Sequence, residues 1–281
     1  MKLGQIKSHG SIVAAIFEDE THARPIPDYS MYDLVKRAEV EGVDLKTLAL
    51  RLASSHREEV TPLIPIAPKE VWGAGCTYEI SSSFRDAEHG TREGFYRAVF
   101  EGGRPELFFK GTSRIAVGPG QPIGIREDSK FTAPEPELAV LIGSKGQIFG
   151  YTVSNDVSAW DIEKENPLYL PQSKTFTGCA AIGPVFVTPD ELGNVYDLEM
   201  TCVIHRGDRV TFEGKTSTAK LGRKIEELIG FLLRSNPVPC GTVLQTGTGI
   251  IVTQESALAP GDVVTISVPQ IGTLSNPAAI V

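Results

Sequence analysis

The chain has 281 residues, of which 41% are hydrophobic and 22% are charged, so it is long enough and apolar enough to bury a sizeable core. Its formal net charge is −8 and its basic residues are dispersed, which argues against nucleic acid or an anionic membrane surface as a partner. No apolar run approaches the length of a membrane span, and the N-terminus lacks a signal-like apolar segment, so we expect a cytoplasmic protein.

The first 65 residues are predicted to form a small separate α+β domain. Two strand patterns, over 3–7 and 12–17, are followed by helical patterns near 32–39 and 45–57. The proline-rich stretch 61–68 then predicts an extended linker, because proline disfavours helix in the residue before it. We therefore divide the chain into an N-terminal domain over 1–65 and a larger second domain over 66–281.

From residue 71 onward the pattern indicates a β-rich α+β domain with many short strands. Two helical patterns interrupt it, one over 77–100 with a break near Gly90 and one over 219–233. The predicted strands span 71–75, 107–110, 137–142, 147–154, 183–187, 198–205, 242–246 and 263–268.

The four cysteines are widely spaced and never form Cys-x-x-Cys, which argues against a zinc site and a disulfide framework. We expect them to be reduced and mostly buried. They are Cys76, Cys179, Cys202 and Cys240.

Three acidic residues occupy the ends of two neighbouring predicted strands. Glu135 and Glu137 share one strand face, about 7 Å apart along the chain, and Asp156 ends the next strand. Oxygen ligands of this kind select Mg²⁺, Mn²⁺ or Ca²⁺, and three carboxylates leave coordination positions for water or substrate. The alternative is a solvated strand face, but the apolar run after Glu137 implies a mostly buried strand, where unpaired carboxylates are costly.

Two further polar residues have more than one interpretation. Lys174 ends the segment 166–174, which we predict to be a proline-bounded loop. It is either a surface lysine or an electrophile or base beside a metal-bound carbonyl. Glu106 begins an apolar strand, and it is either a general base or a structural partner of Arg104.

The segment 245–250 contains Gly-x-Gly, but neither a helix pattern nor a third glycine follows, so a dinucleotide site is rejected. Its threonine hydroxyls and backbone N–H groups predict an anion-binding turn instead. The five histidines are scattered without ligand spacing, and no Gly-x-Ser-x-Gly is present to support a serine hydrolase.

Taken together, these motifs resemble the fumarylacetoacetate hydrolase superfamily over about residues 70–275. The resemblance implies Mg²⁺ at Glu135, Glu137 and Asp156, with Mn²⁺ or Ca²⁺ as alternatives. It also implies a rolled, mixed β-structure and a homodimer or homotetramer. The matching pieces, in the family's order, are Glu-x-Glu-Leu-Ala-Val-x-Ile-Gly from Glu135, Gly-Tyr-Thr-x-x-Asn-Asp-Val-Ser-Ala from Gly150, the Lys174 segment, Ile-Gly-Pro from Ile182 and Thr-Gly-Thr from Thr246.

Two departures from the superfamily narrow the expected activity. Its hydrolases carry a histidine and a glutamate that activate water shortly after the turn matching 75–78, and here Ser81 and Phe84 stand at those positions. Without that pair, hydrolytic C–C cleavage lacks its general base. The second departure is Trp160, where the family often has arginine before Asp161.

The segments 104–106, 123–126 and 165–174 instead resemble the sugar-acid dehydratases of the superfamily. The implied reaction is the metal-assisted loss of water from a 2-keto-3-deoxy sugar acid in pentose breakdown, giving 2,5-dioxopentanoate from a pentonate. In this reaction Glu106 or Lys174 would remove a C3 proton. We favour Glu106 for proton transfer, with Lys174 stabilising the enolate charge. The substrate's carboxylate and hydroxyls would be bound by Arg85 and Thr248.

Three alternatives remain beside the dehydratase. Two are an acylpyruvate- or fumarylpyruvate-type C–C hydrolase and a 2-oxoacid decarboxylase, both using the same metal. The third is a non-catalytic sugar-acid-binding protein, which would need to have lost a metal ligand or Lys174, and none of these is lost.

Overall fold

A computed structural model gives the structure of the protein and describes residues 1–88 and 94–281. Within these residues the chain forms 18 strands and eight α-helices. The strands are β1 (Lys2–Ser8), β2 (Ser11–Phe17), β3 (His22–Ile26), β4 (Glu58–Glu59), β5 (Val71–Gly75), β6 (Glu106–Gly111), β7 (Ala116–Val117), β8 (Ile123–Ile125), β9 (Thr132–Ala133), β10 (Pro136–Ile142), β11 (Ile148–Asp156), β12 (Ser158–Ala159), β13 (Ala180–Val187), β14 (Glu199–Arg206), β15 (Arg209–Ser217), β16 (Thr242–Thr248), β17 (Val263–Val268) and β18 (Gly272–Ile280). The helices are α1 (Met31–Glu41), α2 (Leu45–Leu52), α3 (Glu79–Glu88), α4 (Phe95–Glu101), α5 (Trp160–Glu165), α6 (Leu170–Lys174), α7 (Pro189–Leu192) and α8 (Ile225–Leu232).

Most strands belong to one large sheet with the order β4-β3-β2-β1-β13-β11-β10-β16-β5-β6, and β7 pairs with β13. Adjacent strands in this sheet are mainly antiparallel, but the pairs β16–β5 and β13–β7 are parallel. A second sheet has the order β15-β14-β17-β18-β8, and its β18–β8 pair is parallel. This mixed, β-rich α+β architecture confirms the predicted fold class.

The N-terminal segment is hydrogen-bonded to the rest of the large sheet. Leu3 in β1 is paired with Phe186 in β13. The side-chain amide of Gln5 donates a hydrogen bond to the Ile64 carbonyl at 3.0 Å. The strands of residues 1–65 therefore extend the sheet that carries the later strands, and the division at residue 65 stays a prediction about independent folding.

The two predicted N-terminal helices are present. Helix α1 begins after Ser30, which forms a capping box, and it ends at Gly42 in the left-handed conformation (φ 66°). Helix α2 ends at Leu52, before the predicted end at residue 57.

The prediction of one helix over 219–233 is wrong in its first turns, because α8 begins only at Ile225. The Gly222 N–H donates a hydrogen bond to the Thr77 carbonyl at 2.8 Å. Leu221 forms an isolated β-bridge with Tyr78. These tertiary hydrogen bonds occupy the backbone groups that a longer helix would need.

The prediction of a loop over 166–174 is also wrong. The segment forms a 3₁₀ turn over Pro167–Tyr169 followed by α6. Each short helix has proline in its first turn, where the missing N–H costs nothing and the fixed φ suits a helix.

The predicted helix over 77–100 forms two helices, α3 and α4. Its expected break near Gly90 lies outside the described residues. Across residues 1–88 and 94–281, no helix combines the length and apolar character needed to cross a bilayer.

The strands that lead to the acidic residues lie in the core. Every residue of β10 is buried, and β11 is buried from Phe149 to Asp156. Strands covered on both faces have continuous apolar sequences, so the polar groups at their ends are enclosed by protein. The four cysteines are free and buried, as predicted.

Candidate active site

Three carboxylates meet where the start of β10 lies beside the end of β11. The two strands are antiparallel with Glu137 opposite Ser154, and the Asp156 N–H donates to the Glu135 carbonyl at 2.9 Å. Oxygens of Glu135, Glu137 and Asp156 lie within 4.8 Å of one another, and all three residues are buried. We refer to these three residues as the carboxylate cluster.

Lys174, at the C-terminal end of α6, enters the carboxylate cluster. Its ammonium donates hydrogen bonds to Glu135 Oε1 and Asp156 Oδ2, both at 2.9 Å, and to Ser158 Oγ at 2.6 Å. The same ammonium lies 5.4 Å from the centre of the Phe108 ring. Only 1% of Lys174 is exposed, which rules out the surface-lysine interpretation.

Lys110, next to the last residue of β6, also contacts the carboxylate cluster, and it was not among the residues predicted from the sequence. It is completely buried. Its ammonium forms an ion pair with Asp156 Oδ1 and donates to the Val157 carbonyl at 2.8 Å. Asp156 is therefore held between two ammonium groups. The available signal was a lysine inside an apolar strand, since a buried ammonium requires a partner.

Burial and neighbouring charges act in opposite directions on these groups. Burial raises the pKa of Glu137 well above its ordinary value, and the charges of Asp156 and Glu135 raise it further. Burial would also raise the pKa of Asp156, but Lys110 and Lys174 hold it below its ordinary value. For Lys174 burial favours the neutral amine, yet the carboxylates of Asp156 and Glu135 raise its pKa above the ordinary value.

The carboxylate cluster fits a hard divalent cation. Its three carboxylates face the ammonium groups of Lys110 and Lys174, so one buried negative charge is not balanced by them. A buried charge without a counter-ion is costly, and a cation held by these oxygens would neutralise it. A set of oxygen donors without histidine or cysteine suits Mg²⁺, Mn²⁺ or Ca²⁺ rather than zinc or copper.

The predicted anion-binding turn at 245–250 is strand β16 as far as Thr248, and the hydroxyls of Thr246 and Thr248 donate to backbone carbonyls. One backbone N–H of this segment contacts the carboxylate cluster. The Gly247 N–H donates to Glu137 Oε2 at 2.6 Å. Gly247 has φ 98°, and a Cβ there would lie 1.9 Å from Thr77 Oγ1, so the position requires glycine. Thr248 lies opposite Glu137 in the β10–β16 pair, and its hydroxyl donates to the Ile250 carbonyl at 3.1 Å. Its contact with substrate stays a prediction.

Glu106 begins β6 and has Arg85 as its ion-pair partner. Arg85 Nη1 donates to Glu106 Oε2 at 2.9 Å. Arg104, the partner considered from the sequence, instead places its guanidinium 5.5 Å from the centre of the Phe231 ring. The Glu106 side chain is 21% exposed, so a small molecule can reach it. Gly75 faces this carboxylate, and a Cβ on Gly75 would lie 2.0 Å from Glu106 Oε2.

Arg85 is buried between two carboxylates. Its Nη2 lies 3.0 Å from Glu163 Oε1, and the two side chains are 3% and 1% exposed. Burial alone would lower the pKa of Arg85, but Glu163 and then Glu106 raise it well above its ordinary value. The rings of Tyr96 and Trp160 lie 5.4 Å and 5.8 Å from its guanidinium carbon. The guanidinium predicted to bind substrate thus forms ion pairs within the protein, and the sequence analysis missed Glu163.

Two positions at which the chain departs from the superfamily pack against each other. The rings of Phe84 and Trp160 are 5.1 Å apart in an edge-to-face arrangement. Ser81, at the position expected for the hydrolases' histidine, is buried on the same helix, α3, as Phe84. Phe84, at the position expected for the hydrolases' glutamate, therefore belongs to an aromatic pair whose Trp160 ring lies beside Arg85.

A cavity of about 500 Å³ opens beside α6. Its lining includes Phe108, Arg126, Leu170, Pro171 and Thr175. Since Phe108 also approaches Lys174, this cavity borders the residues around the carboxylate cluster. Its size is within the range of small-molecule sites.

Comparison with known proteins places this site in a family context. The model for the fumarylacetoacetate (FAA) hydrolase C-terminal family matches residues 85–279. The 2-dehydro-3-deoxy-D-arabinonate dehydratase of Saccharolobus solfataricus is 43% identical over 288 residues, which cover 99% of this chain and 96% of that protein. A probable 2-keto-3-deoxyxylonate dehydratase of Haloferax volcanii is 43% identical over 213 residues, covering 76% of this chain and 73% of that protein.

A solved structure agrees with these sequence matches. It is 2-keto-3-deoxy-D-arabinonate dehydratase complexed with magnesium and 2,5-dioxopentanoate, and it superimposes with a TM-score of 0.84 at 41% identity. The match covers 100% of this chain and 99% of that one. From the family match, the full-length identity and the shared fold, we conclude that the chain belongs to the fumarylacetoacetate hydrolase family.

Proposed function

We propose that this protein is a divalent-metal-dependent dehydratase that converts 2-keto-3-deoxypentonate into 2,5-dioxopentanoate and water. One observation carries the proposal. Lys174 lies within a buried carboxylate cluster that suits a hard cation, and the sequence has Ser81 and Phe84 at the positions expected for the water-activating pair of the hydrolases. The full-length similarity to a 2-dehydro-3-deoxy-D-arabinonate dehydratase supports the same activity.

Glu135, Glu137 and Asp156 would hold the cation, which we propose is Mg²⁺, with Mn²⁺ or Ca²⁺ as alternatives. When bound there, it would withdraw electron density from the C2 carbonyl of the 2-oxo acid and acidify the C3 protons. Lys110 would keep the Asp156 carboxylate in its position for this task, because it contacts the oxygen that Lys174 does not.

Glu106 would accept a proton from C3 of the substrate. Its carboxylate is partly exposed and is held in place by Arg85. Lys174 would provide a fixed ammonium beside the negative charge that develops as this proton leaves, and a fixed charge in a buried site acts more strongly than in water. The C3 proton would then leave with the C4 hydroxyl as water, which balances the elimination.

Loss of water in this way gives 5-hydroxy-2-oxopent-3-enoate. Transfer of one proton from C5 to C3 converts that compound into the enol of an aldehyde, and ketonisation gives 2,5-dioxopentanoate. The oxidation states are redistributed within the carbon chain, so the reaction requires no redox cofactor. Arg85 and Thr248 remain our proposed contacts for the substrate's carboxylate and hydroxyls.

The deciding experiment is turnover of synthetic D- and L-2-keto-3-deoxypentonate by the purified protein with Mg²⁺, with and without EDTA. We expect a product lighter by one water, with the mass of 2,5-dioxopentanoate, formed from one enantiomer and suppressed by EDTA. Pyruvate or another fragment from C–C cleavage would support a hydrolase instead, and release of CO₂ would support a decarboxylase. Binding without any product would support a sugar-acid-binding protein.

In the same proposal the protein acts in pentose breakdown in the cytoplasm as a homodimer or homotetramer. Only C4 is a stereocentre in a 2-keto-3-deoxypentonate, so the D substrates derived from arabinonate and xylonate are the same compound. The enzyme would therefore accept material from either sugar acid.

A further inference from the structure

One guanidinium joins two carboxylates that come from distant elements. Glu106 begins β6, Glu163 lies in α5, and Arg85 lies in α3. Arg85 uses Nη1 for Glu106 and Nη2 for Glu163, at 2.9 Å and 3.0 Å. Because each carboxylate has its own nitrogen, the guanidinium holds both at once.

The two carboxylates differ in exposure. The Glu163 side chain is 1% exposed, whereas that of Glu106 is 21% exposed. Glu163 therefore anchors the inner side of the guanidinium, and Glu106 forms the outer end that substrate can reach. The rings of Tyr96 and Trp160 lie beside the guanidinium and restrict its plane.

The net charge of Glu106, Arg85 and Glu163 together also differs from that of a simple ion pair. One guanidinium faces two carboxylates, so the three side chains carry one net negative charge. If Glu163 were neutral, the guanidinium would have Glu106 as its only anionic partner here and would neutralise it. Because Glu163 uses the same guanidinium, the contact that holds Glu106 in place depends on Glu163 as well.

Glu163 also contacts the segment that carries Lys174. The Ser173 hydroxyl donates a long hydrogen bond to Glu163 Oε2 at 3.5 Å. Ser173 is the residue immediately before Lys174 in α6. The buried Glu163 carboxylate therefore contacts both Arg85, which pairs with Glu106, and α6, the helix that carries Lys174.

We propose that Glu163 is a positioning residue for the proton-transfer step, acting through Arg85 on Glu106. The inference rests on the proposed function, since it assigns Glu163 a role in the same reaction. It differs from a purely structural role, in which Glu163 would only balance the buried charge of Arg85.

Glu163→Gln tests the proposal, because it keeps the shape of the side chain and removes its charge. Its matched control is Glu165→Gln, which removes the same charge from an exposed position of the same helix. Both variants are measured with Mg²⁺ for kcat and KM on 2-keto-3-deoxypentonate. A second assay follows deuterium exchange at C3 of 2-oxobutanoate in D₂O, which reports proton transfer without any dehydration.

We expect Glu163→Gln to lower kcat and the exchange rate by about 10- to 100-fold, because small misplacement of a proton-transfer group has effects of that size. Mg²⁺ affinity should remain within about threefold of the wild type, since the proposed cation ligands are unchanged. Glu165→Gln should match the wild type in every measurement. A stable Glu163→Gln variant with wild-type kcat and exchange would overturn the proposal.

A double-mutant cycle separates action through Glu106 from a general loss of structure. In the Glu106→Gln background, adding Glu163→Gln should reduce the residual rate by less than threefold, because the group being positioned is already lost. Full additivity of the two changes would overturn the proposal. If Glu163→Gln does not fold, Glu163→Asp replaces it, and there a wild-type kcat would overturn the proposal while a reduced kcat at unchanged Mg²⁺ affinity would support it.

The two assays also separate this inference from the proposed function. If the wild type catalyses exchange but does not dehydrate the pentonate, the substrate assignment fails, and the exchange rates of the variants still decide the role of Glu163. If the wild type dehydrates the pentonate and Glu163→Gln does so equally well, only the inference about Glu163 fails. If the wild type does neither, both fail.

Discussion

An ion pair at the surface and one in the carboxylate cluster have the same length and different consequences. Arg57 Nη2 lies 2.9 Å from Asp19 Oδ2, with side chains 50% and 47% exposed. Lys174 Nζ lies 2.9 Å from Asp156 Oδ2, with side chains 1% and 2% exposed. Water and salt screen the first pair, so it contributes little. In the second pair, each charge depends on its protein partners, because water does not reach it.

The comparison teaches that burial rather than contact distance decides how strongly a charged side chain of this protein depends on its partner. Exposed carboxylates with arginine partners are common in its N-terminal segment, as in the Arg37–Glu41 and Arg51–Glu41 pairs. The buried carboxylates outnumber the lysines beside them, and this imbalance is the feature that suits a cation.

The largest effect should come from Asp156→Asn. The change removes one proposed cation ligand and leaves Lys110 and Lys174 with less negative charge around them. We expect turnover to become undetectable and the free energy of unfolding to fall by about 3–5 kcal/mol. Saturating Mg²⁺ should stabilise the wild type, by about 2.7 kcal/mol at 100 times its Kd, but not the variant. Calorimetric titration and thermal unfolding measure these outcomes, and wild-type Mg²⁺ affinity in the variant would contradict them.

Glu106→Gln should lower turnover without changing cation binding. Its carboxylate pairs with Arg85 and is not part of the carboxylate cluster. We expect kcat to fall by about 10²- to 10⁴-fold, the usual contribution of a proton-transfer group. Mg²⁺ affinity, followed by calorimetry, should stay close to that of the wild type. Near-wild-type turnover would reject the proposed role of Glu106.

Asp262→Asn tests a buried carboxylate that lies away from the cluster. Its side chain is completely buried and accepts two hydrogen bonds from Arg206 and one from the Ala259 N–H, all at 2.8 Å. Removing the charge at pH 7 should destabilise the protein by about 1–3 kcal/mol, because these donors lose an ionised acceptor. Turnover per folded molecule should not change. Denaturant unfolding and steady-state kinetics check the two parts.

The effect of Asp262→Asn should also depend on pH. Burial would raise the pKa of Asp262, but Arg206 and the Ala259 N–H outweigh it and lower the pKa below its ordinary value. The folded state thus favours the carboxylate, so its stabilisation is complete at neutral pH and is lost as pH falls below about 4. The difference between variant and wild type should therefore shrink between pH 7 and pH 3. A constant difference would contradict this assignment.

Asp19→Asn should have the smallest effect. Hydrogen bonds from the Thr21 N–H and His22 hold the pKa of Asp19 below its ordinary value, yet the group is exposed to solvent. We expect no measurable change in the thermal midpoint or in kcat, because water takes over the contacts of the lost Asp19 carboxylate. If Asp19→Asn were as damaging as Asp262→Asn, burial would not be the property that separates these pairs.

The residues that could be predicted from sequence are those that local pattern determines. Glu135, Glu137 and Asp156 follow from strand periodicity and the end of the next strand. In each case the information lies within a few residues of the site, and the expected strands form at or close to the expected places.

The residues that could not be predicted depend on packing between remote segments. Arg85 meets Glu163 only because α3 and α5 pack together, and nothing in the local sequence links them. The shortened α8 has the same cause, since hydrogen bonds from 221–222 to the 77–78 segment override a good helical pattern. Periodicity reports the preference of a segment, whereas these contacts depend on the whole fold.

Gly75 lies opposite Glu106, the proposed base. A larger residue at position 75 would therefore displace the Glu106 carboxylate. A single added methyl at Gly75 would overlap the Glu106 carboxylate and approach Arg85 Nη1 to 3.1 Å. Alanine scanning, which reads function from the atoms it removes, passes over such a position. One extra carbon there is a route by which a descendant of this enzyme could keep its fold and cation site while losing turnover.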